Sequence, residues 1–422
     1  MMKNCFVKGF FFFALIALSV STNFAWDDTG HKLAAYIAWE QMTPQARERA
    51  TKILLSAPED SDLSVFYASD SRSAAAKQRE LFMIAATWAD IVRDKKFKTR
   101  NSKYHHGTWH YLDTFWREAN GKIEPVPELK SDEENAVERL YTFDRVLRGA
   151  AASDADKAIA LAWILHLGGD IHQPLHDSAR VTEDDPKGDQ GGNLFLLSPK
   201  DAKGDDRLNL HWYWDSIVGR NLPRIGDACD SDYLPTIAQE MMRKYPLAKM
   251  RNRLEIGQFD KWQSEGFEIA STKLYPPGLK FGEMPSEKYK KMAFEIAQEQ
   301  IALAGYRLGA MMNQIFDGGE STAKQLDKDK PDFAKQAKES GSIIGQGAGD
   351  EWIWFKTRAA LASTKDLRDA TIAVDVENNI VTLRGNVAKT QQIVKALRVV
   401  NEIEGVKGVK NELKISPNNV KK

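Results

Sequence analysis

Cysteine is nearly absent from this chain of 422 residues, which has only Cys5 and Cys229. Cys5 falls in a leader expected to be removed, so Cys229 stands alone and no intrachain disulfide can form. A chain of this size builds a large enough core to do without one. An excess of either charge is also lacking, with 59 Lys+Arg against 59 Asp+Glu. This excludes a protein that grips nucleic acid through a broad basic surface and leaves only local, site-driven recognition of phosphate. Long hydrophobic runs are missing too: the strongest, GFFFFALIALSV at 9–20, has 12 residues, too few to span ~30 Å of hydrocarbon as a helix. With 42% hydrophobic and 28% charged residues and a mean hydropathy of −0.46, neither a disordered chain nor a membrane bundle is expected.

The apolar run follows Lys3 and Lys8, and the small residue Ala25 sits just before Trp26. This pattern reads as a signal peptide over residues 1–25, cut at Ala25/Trp26. Its removal leaves 57 basic against 59 acidic side chains, so the mature chain stays near neutral.

From Trp26 to Asp317 apolar residues recur at three- and four-residue spacing over Lys32 to Glu40, Gln45 to Ser56, Ala74 to Asp94, Glu133 to Arg148, Asp154 to Gly169, Tyr233 to Lys244, Lys261 to Lys273 and Ser286 to Phe316. No comparable set of alternating strands is evident, which predicts an all-α domain. Asp154 to Leu167 is apolar nearly all round and marks a central helix. Residues 318–349, rich in Lys, Asp, Ser and Gly, read as a flexible linker. Beyond it the period changes: a helix over Glu351 to Ser363, strands over Thr371 to Val376 and Ile380 to Arg384, a helix over Thr390 to Glu402 and a strand over Lys410 to Ile415 give α-β-β-α-β, a small α+β domain over 350–417 followed by a tail at 418–422.

The eight histidines lie at 31, 105, 106, 110, 166, 172, 176 and 211, among acids. His166 and Asp170 are four residues apart and would project from one helix face, and His211 and Asp215 repeat that spacing. His176 follows Asp170 beyond Pro174 and can return to the same cleft. Asp90 and His110 stand beside Trp88 and Trp109. One such pair alone is most often a helix-surface hydrogen bond. Two pairs with a third imidazole between them, and no cysteine framework, favour a metal site. Imidazole with carboxylate suits zinc, and an Asp can bridge two ions.

Taken in order, Trp26 with His31, TWAD at 87–90 with Arg93, WHY at 109–111, HLGGDIHQPLH at 166–176, GGN at 191–193 and NLHWYWD at 209–215 resemble the motifs of the zinc-dependent nuclease S-one/P-one family. HLGGDIHQPLH is the most specific of them, and the resemblance spans 26–317. It implies the all-α fold of the phospholipase C/nuclease P-one superfamily and three zinc ions per chain. One zinc would be held by Asp90, His110, His166 and Asp170. Its close partner would be held by His31, Asp170 and the amine and carbonyl of a processed Trp26, and a third by His176, His211 and Asp215. His105, His106 and His172 match no ligand position, though His172 is near enough to orient one.

The family's mechanism, carried over, has a water or hydroxide held between the close zinc pair attack phosphorus in line, while the third zinc stabilises the leaving 3′-oxygen. Asp90 and Asp170 would serve the reacting metals and Arg93 the transition state. Tyr111 would stack a base whose edge Asp113 hydrogen-bonds, a grip that needs an unstacked, single-stranded nucleotide. The implied activity is hydrolysis of single-stranded DNA or RNA to 5′-phosphorylated products, with 3′-nucleotides also cleaved. The alternative is a zinc-dependent phospholipase C-like attack on phospholipid head groups. VDVENNIVTLRGNV at 374–387 and GVKGVKNELKI at 405–415 resemble a BON domain, which implies contact with phospholipid or another envelope surface. Together these imply an exported protein, periplasmic or extracellular in a bacterium, with no obligate protein partner.

Overall fold

The computed structural model describes residues 26–317 apart from 70, 204–206 and 222–229, and, with short gaps, 353–416. The leader at 1–25, Cys229, the linker and the tail expected from sequence lie outside the described residues, as does most of the helix expected over Glu351 to Ser363.

In the first region α1 (Asp28–Gln41), α2 (Pro44–Leu55), α3 (Ala74–Ala85), α4 (Trp88–Ile91) and α5 (Lys98–Tyr104) are followed by a hairpin of β1 (Phe115–Ala119) and β2 (Lys122–Pro125). Then come α6 (Ala136–Arg148), α7 (Asp154–Asp170), β3 (Ala179–Arg180), α8 (Leu210–Asp215), α9 (Ile217–Asn221), α10 (Asp230–Lys244), α11 (Leu247–Met250), α12 (Phe259–Ile269) and α13 (Glu287–Phe316). The starts follow the expected capping chemistry: the Asp27 carboxylate accepts from Gly30 N at 3.1 Å, and Ser153 Oγ accepts from Asp156 N at 3.1 Å. As its apolar circumference predicts, α7 is central, buried almost continuously from Ala158 to Asp170. Helices α1 and α13 run against each other, and α1, α2, α4, α6 and α13 surround α7.

Two expectations need correction. Periodicity predicts one helix over Ala74 to Asp94, but the chain breaks it at Ala86 and Thr87. There the Thr87 hydroxyl donates to Ile84 O at 2.9 Å, and the Ala86 carbonyl turns to accept from His166 at 2.7 Å. A side chain 80 residues away thus claims a carbonyl that a continuous helix would have used. Short strands also interrupt the helical region: β1 pairs antiparallel with β2 and parallel with β3. The hairpin turns at Asn120 and Gly121, with φ of 53° and 71°. Both residues sit in the left-handed region that a two-residue hairpin turn requires, so Asn-Gly was the strand signal.

The C-terminal region has the α+β form expected: β4 (Thr371–Glu377), β5 (Ile380–Val387), α14 (Thr390–Asn401) and β6 (Gly408–Ile415). Its sheet has the order β4-β5-β6, antiparallel and then parallel. One face packs Val381, Leu383 and Val387 against Ala396 and Val400 of α14.

Candidate metal centre

The site is assembled at the C-terminal end of α7. Asp170 is fully buried and meets three imidazoles: Oδ1 lies 3.2 Å from His31 Nε2, and Oδ2 lies 3.1 Å from His110 Nδ1 and 3.3 Å from His166 Nε2. His31 comes from α1 and His110 from the turn before β1, so elements distant in sequence converge on one carboxylate. His31 stacks on His166 with ring centroids 4.1 Å apart. Gly169 permits this approach, since a Cβ there would stand 2.6 Å from His31 Nδ1. Asp90 joins on the outer side, 3.8 Å from His166 Nε2, with Arg93 Nε 3.1 Å from its Oδ1.

A second cluster lies beside the first. His211 Nε2 is 3.4 Å and His176 Nε2 is 3.9 Å from the Asp215 carboxylate. Gln173, between Asp170 and His176, donates to Asp215 Oδ1 at 2.7 Å and accepts from Leu175 N at 2.7 Å. Sequence reasoning passed over Gln173 as a positioning group, although it stands inside the most specific motif. Asp27 N donates to Asp215 O at 2.8 Å, which ties the start of the described chain to this cluster.

Backbone carbonyls set the ring orientations. His166 Nδ1 faces Ala86 O at 2.7 Å, His176 Nδ1 faces His110 O at 2.7 Å and His211 Nδ1 faces Gly191 O at 2.8 Å. In each ring Nδ1 must carry the proton, which leaves the Nε2 lone pair directed into the cluster. The GGN motif thus contributes a carbonyl. Burial pushes the His31 imidazole down to about 4 and those of His110 and His166 below their usual range. It also pushes Asp90 up to about 6 and raises Asp170 and Asp215, with Arg93 working the other way on Asp90 and Asp170. Neutral imidazole is the ligating form, and carboxylates this buried need positive charge beside them to ionise.

Three sets of ligand atoms fall within 4.8 Å of one another and could each hold a metal ion: His31, His166 and Asp170; Asp90, His110 and His166; His176, His211 and Asp215. His31 Nδ1 and Nε2, His110 Nε2 and Asp170 Oδ1 are buried without a hydrogen bond. Buried polar atoms of this kind are ordinarily paired, so the donor set, nitrogen with carboxylate oxygen, fits borderline metals such as zinc. Trp26 is fully buried against Gly30.

Asp90, Arg93, Tyr111 and Asp113 are only partly buried, whereas the clustered imidazoles are closed off from solvent. Burial, followed by the charges of Asp189 and Asp132, pushes Asp113 up to about 7. Of the remaining histidines, His106 stacks on Trp109 at 3.6 Å and His105 lies partly buried near Arg93, while His172 is wholly buried against Arg307. Among the described residues no helix is long and apolar enough to cross a membrane.

A family model described as S1/P1 Nuclease matches residues 26–317, and one described as BON domain matches residues 349–417. Nuclease P1 of Penicillium citrinum is 24% identical over 310 residues, covering 69% of this chain and 97% of its own length, and Nuclease PA3 of Penicillium sp gives the same figures. Endonuclease 2 of Arabidopsis thaliana is 28% identical over 166 residues, 37% of this chain and 51% of its own.

Proposed function

The chain belongs to the S1/P1 nuclease family and is a hydrolase of phosphodiester bonds, and from that premise we propose that it uses three zinc ions to cut single-stranded RNA and DNA to 5′-phosphorylated products and also acts on 3′-nucleotides. The observation that carries the reading is the Asp170 carboxylate, buried among His31, His110 and His166, next to a second His/Asp cluster.

In the proposed assignment Asp90, His110, His166 and Asp170 hold one ion. His31 and Asp170 hold a close neighbour with the free amine and carbonyl of Trp26, and His176, His211 and Asp215 hold the third. Zinc supplies Lewis acidity and lowers the pKa of water toward ~7, so no side-chain nucleophile is required. The chain's own residues do the rest. Arg93, pinned to Asp90, presents a cation at the partly buried edge, where charge grows on the phosphoryl oxygens. Tyr111 offers a face on which an unstacked base can lie, and Asp113, four residues from Trp109, meets that base's edge. Stacking of this kind accounts for a single-strand preference on a protein of zero formal net charge.

The same reading has residues 1–25 removed on export to the periplasm or medium, since only cleavage frees the Trp26 amine. It has 318–349 as a linker and 350–417 as a BON domain that approaches phospholipid or another envelope surface. The deciding experiment offers a single-stranded oligonucleotide to the processed protein with and without a chelator and identifies the product ends. Chelator-sensitive release of 5′-phosphorylated fragments is expected. Failure to cut by protein carrying three zincs, with release of a phospholipid head group instead, would overturn it in favour of the phospholipase reading.

A further inference from the structure

The segment from Asp170 to His176 connects the two clusters, and its rear is fastened to a cation that takes no part in either. His172 is fully buried, with Nδ1 2.7 Å from Gly168 O and Nε2 2.8 Å from Arg307 Nη1. A guanidinium can only donate, so Nε2 accepts and Nδ1 carries the proton that goes to Gly168 O. Both ring nitrogens are engaged and the ring cannot swing. Arg307 of α13 is itself fully buried. Its Nε and Nη2 donate to Arg253 O at 3.1 and 2.7 Å, Nη2 donates to Glu265 Oε2 at 2.7 Å, and the group lies 5.1 Å from the centre of the Trp262 ring.

A fully buried charge is a poor device for stability alone, because apolar side chains of similar volume commonly fill such a site at no loss. A rigid, planar fork is a good device for direction. Here it triangulates α13, α12 and the turn at Arg251–Arg253, and its Nη1 donates to the imidazole two residues after Asp170. The next residue, Gln173, donates instead to Asp215 Oδ1. The segment is therefore pinned to Arg307 at 172 and to Asp215 at 173, between the ligands of the two clusters.

We propose that Arg307 is a positioning residue for the metal groups: through His172 it fixes the segment from Asp170 to His176, and with it the spacing of the paired ions from the third. This rests on the reading that Asp170 and His176 hold metal. The second cluster is the more sensitive, since His176 lies at the far end of the segment and Asp215 is held by Gln173 within it.

The test titrates zinc-free wild-type protein and its variants with Zn2+ in competition with a chromophoric chelator, and records the visible spectrum of each Co2+-loaded form well below its melting temperature. Arg307→Met and His172→Leu should each weaken uptake of the third ion ~10- to 100-fold, the usual consequence of losing a group that orients a ligand, and should alter the Co2+ spectrum. His172→Gln, which keeps an acceptor for Arg307, should stay near wild type. Tyr306→Phe removes a neighbouring hydrogen bond to Tyr245 O on the same helix and should leave metal affinity unchanged even where it lowers the melting temperature. Wild-type affinities and spectra in both Arg307→Met and His172→Leu, or equal weakening in Tyr306→Phe, would overturn the proposal. Fewer than three ions on wild type would overturn the metal reading beneath it.

Discussion

The helical region takes His31, His110, His166, Asp170, His176, His211 and Asp215 almost wholly out of water, whereas the described core of the C-terminal region is Ile353, Leu361, Leu367, Ala370, Val381, Leu383, Val387, Ala396, Val400 and Leu413, with Thr357 and Gln392 as its buried polar residues. Among the described residues, charge in the second region stays on the surface, as in Arg384 with Glu412 at 2.9 Å and with Asp375 at 3.2 Å. Exposed pairs of that kind contribute little. A fold does not bury titratable groups without something to compensate them, so the contrast separates a region built around its chemistry from one built around its packing.

The comparison can be broken most severely at Asp170. Asp170→Ala should lose both ions of the pair, keep the third, and lower cleavage of a single-stranded oligonucleotide at least ~1000-fold, because several kcal/mol of charge stabilisation go with the metals. Metal analysis and kcat together check this, and full zinc content in the variant would refute the bridging role. Next comes the N-terminus. A chain that keeps Met before Trp26 converts the Trp26 amine to an amide, and it should bind the ion near His31 ~10- to 100-fold more weakly, by analogy with the loss of other supporting groups. Activity equal to that of the processed protein would remove Trp26 from the ligand set.

A smaller and pH-dependent effect is expected at Asp113. Its carboxyl is pushed up to about 7, so it can donate to a base edge below that pH and only accept above it. KM for a given base should change across neutral pH, and Asp113→Asn should flatten that change, costing about tenfold in KM where the carboxyl's proton state suits the base. The stability sign follows from the same shift. A carboxyl raised in the folded state contributes fully below its unfolded value near 3.8 and loses that contribution as pH rises through about 7. The melting temperature of Asp113→Asn relative to wild type should therefore climb between pH 4 and pH 8, and a constant difference would count against the shift. Deleting residues 340–422 should matter least to chemistry, leaving oligonucleotide cleavage within twofold or so of the full chain while abolishing co-sedimentation with phospholipid vesicles. Unchanged co-sedimentation would end the tethering proposal, and a large loss of cleavage would end the separation of the two regions.

Much of the helical region was legible as pattern. The apolar run in α7 and the four-residue spacing of His166 with Asp170 and of His211 with Asp215 are local, and a helix projects residues four apart from one face whatever surrounds it. The Asn120-Gly121 turn was equally local and was passed over because helical periodicity dominates its surroundings. The break at Ala86 could not be read, since its cause is an imidazole on another helix. Arg307 was hidden for the same reason: in the sequence it is one more charge on an amphipathic helix, and only packing turns it inward toward His172.

Residue type and spacing in the sequence by themselves determined which side chains are of a kind that can ligate, that a mostly helical region precedes an α+β one, and that recognition of phosphate must be local. The tertiary structure alone decided that His31 from α1 and His110 from a turn meet at Asp170, and that Ala86, His110 and Gly191 lend the carbonyls that orient three rings. The physical reason is range. Helical periodicity is dictated by neighbours within a turn, while a ring's tautomer and a carboxylate's protonation depend on whichever distant groups the fold brings within hydrogen-bond distance.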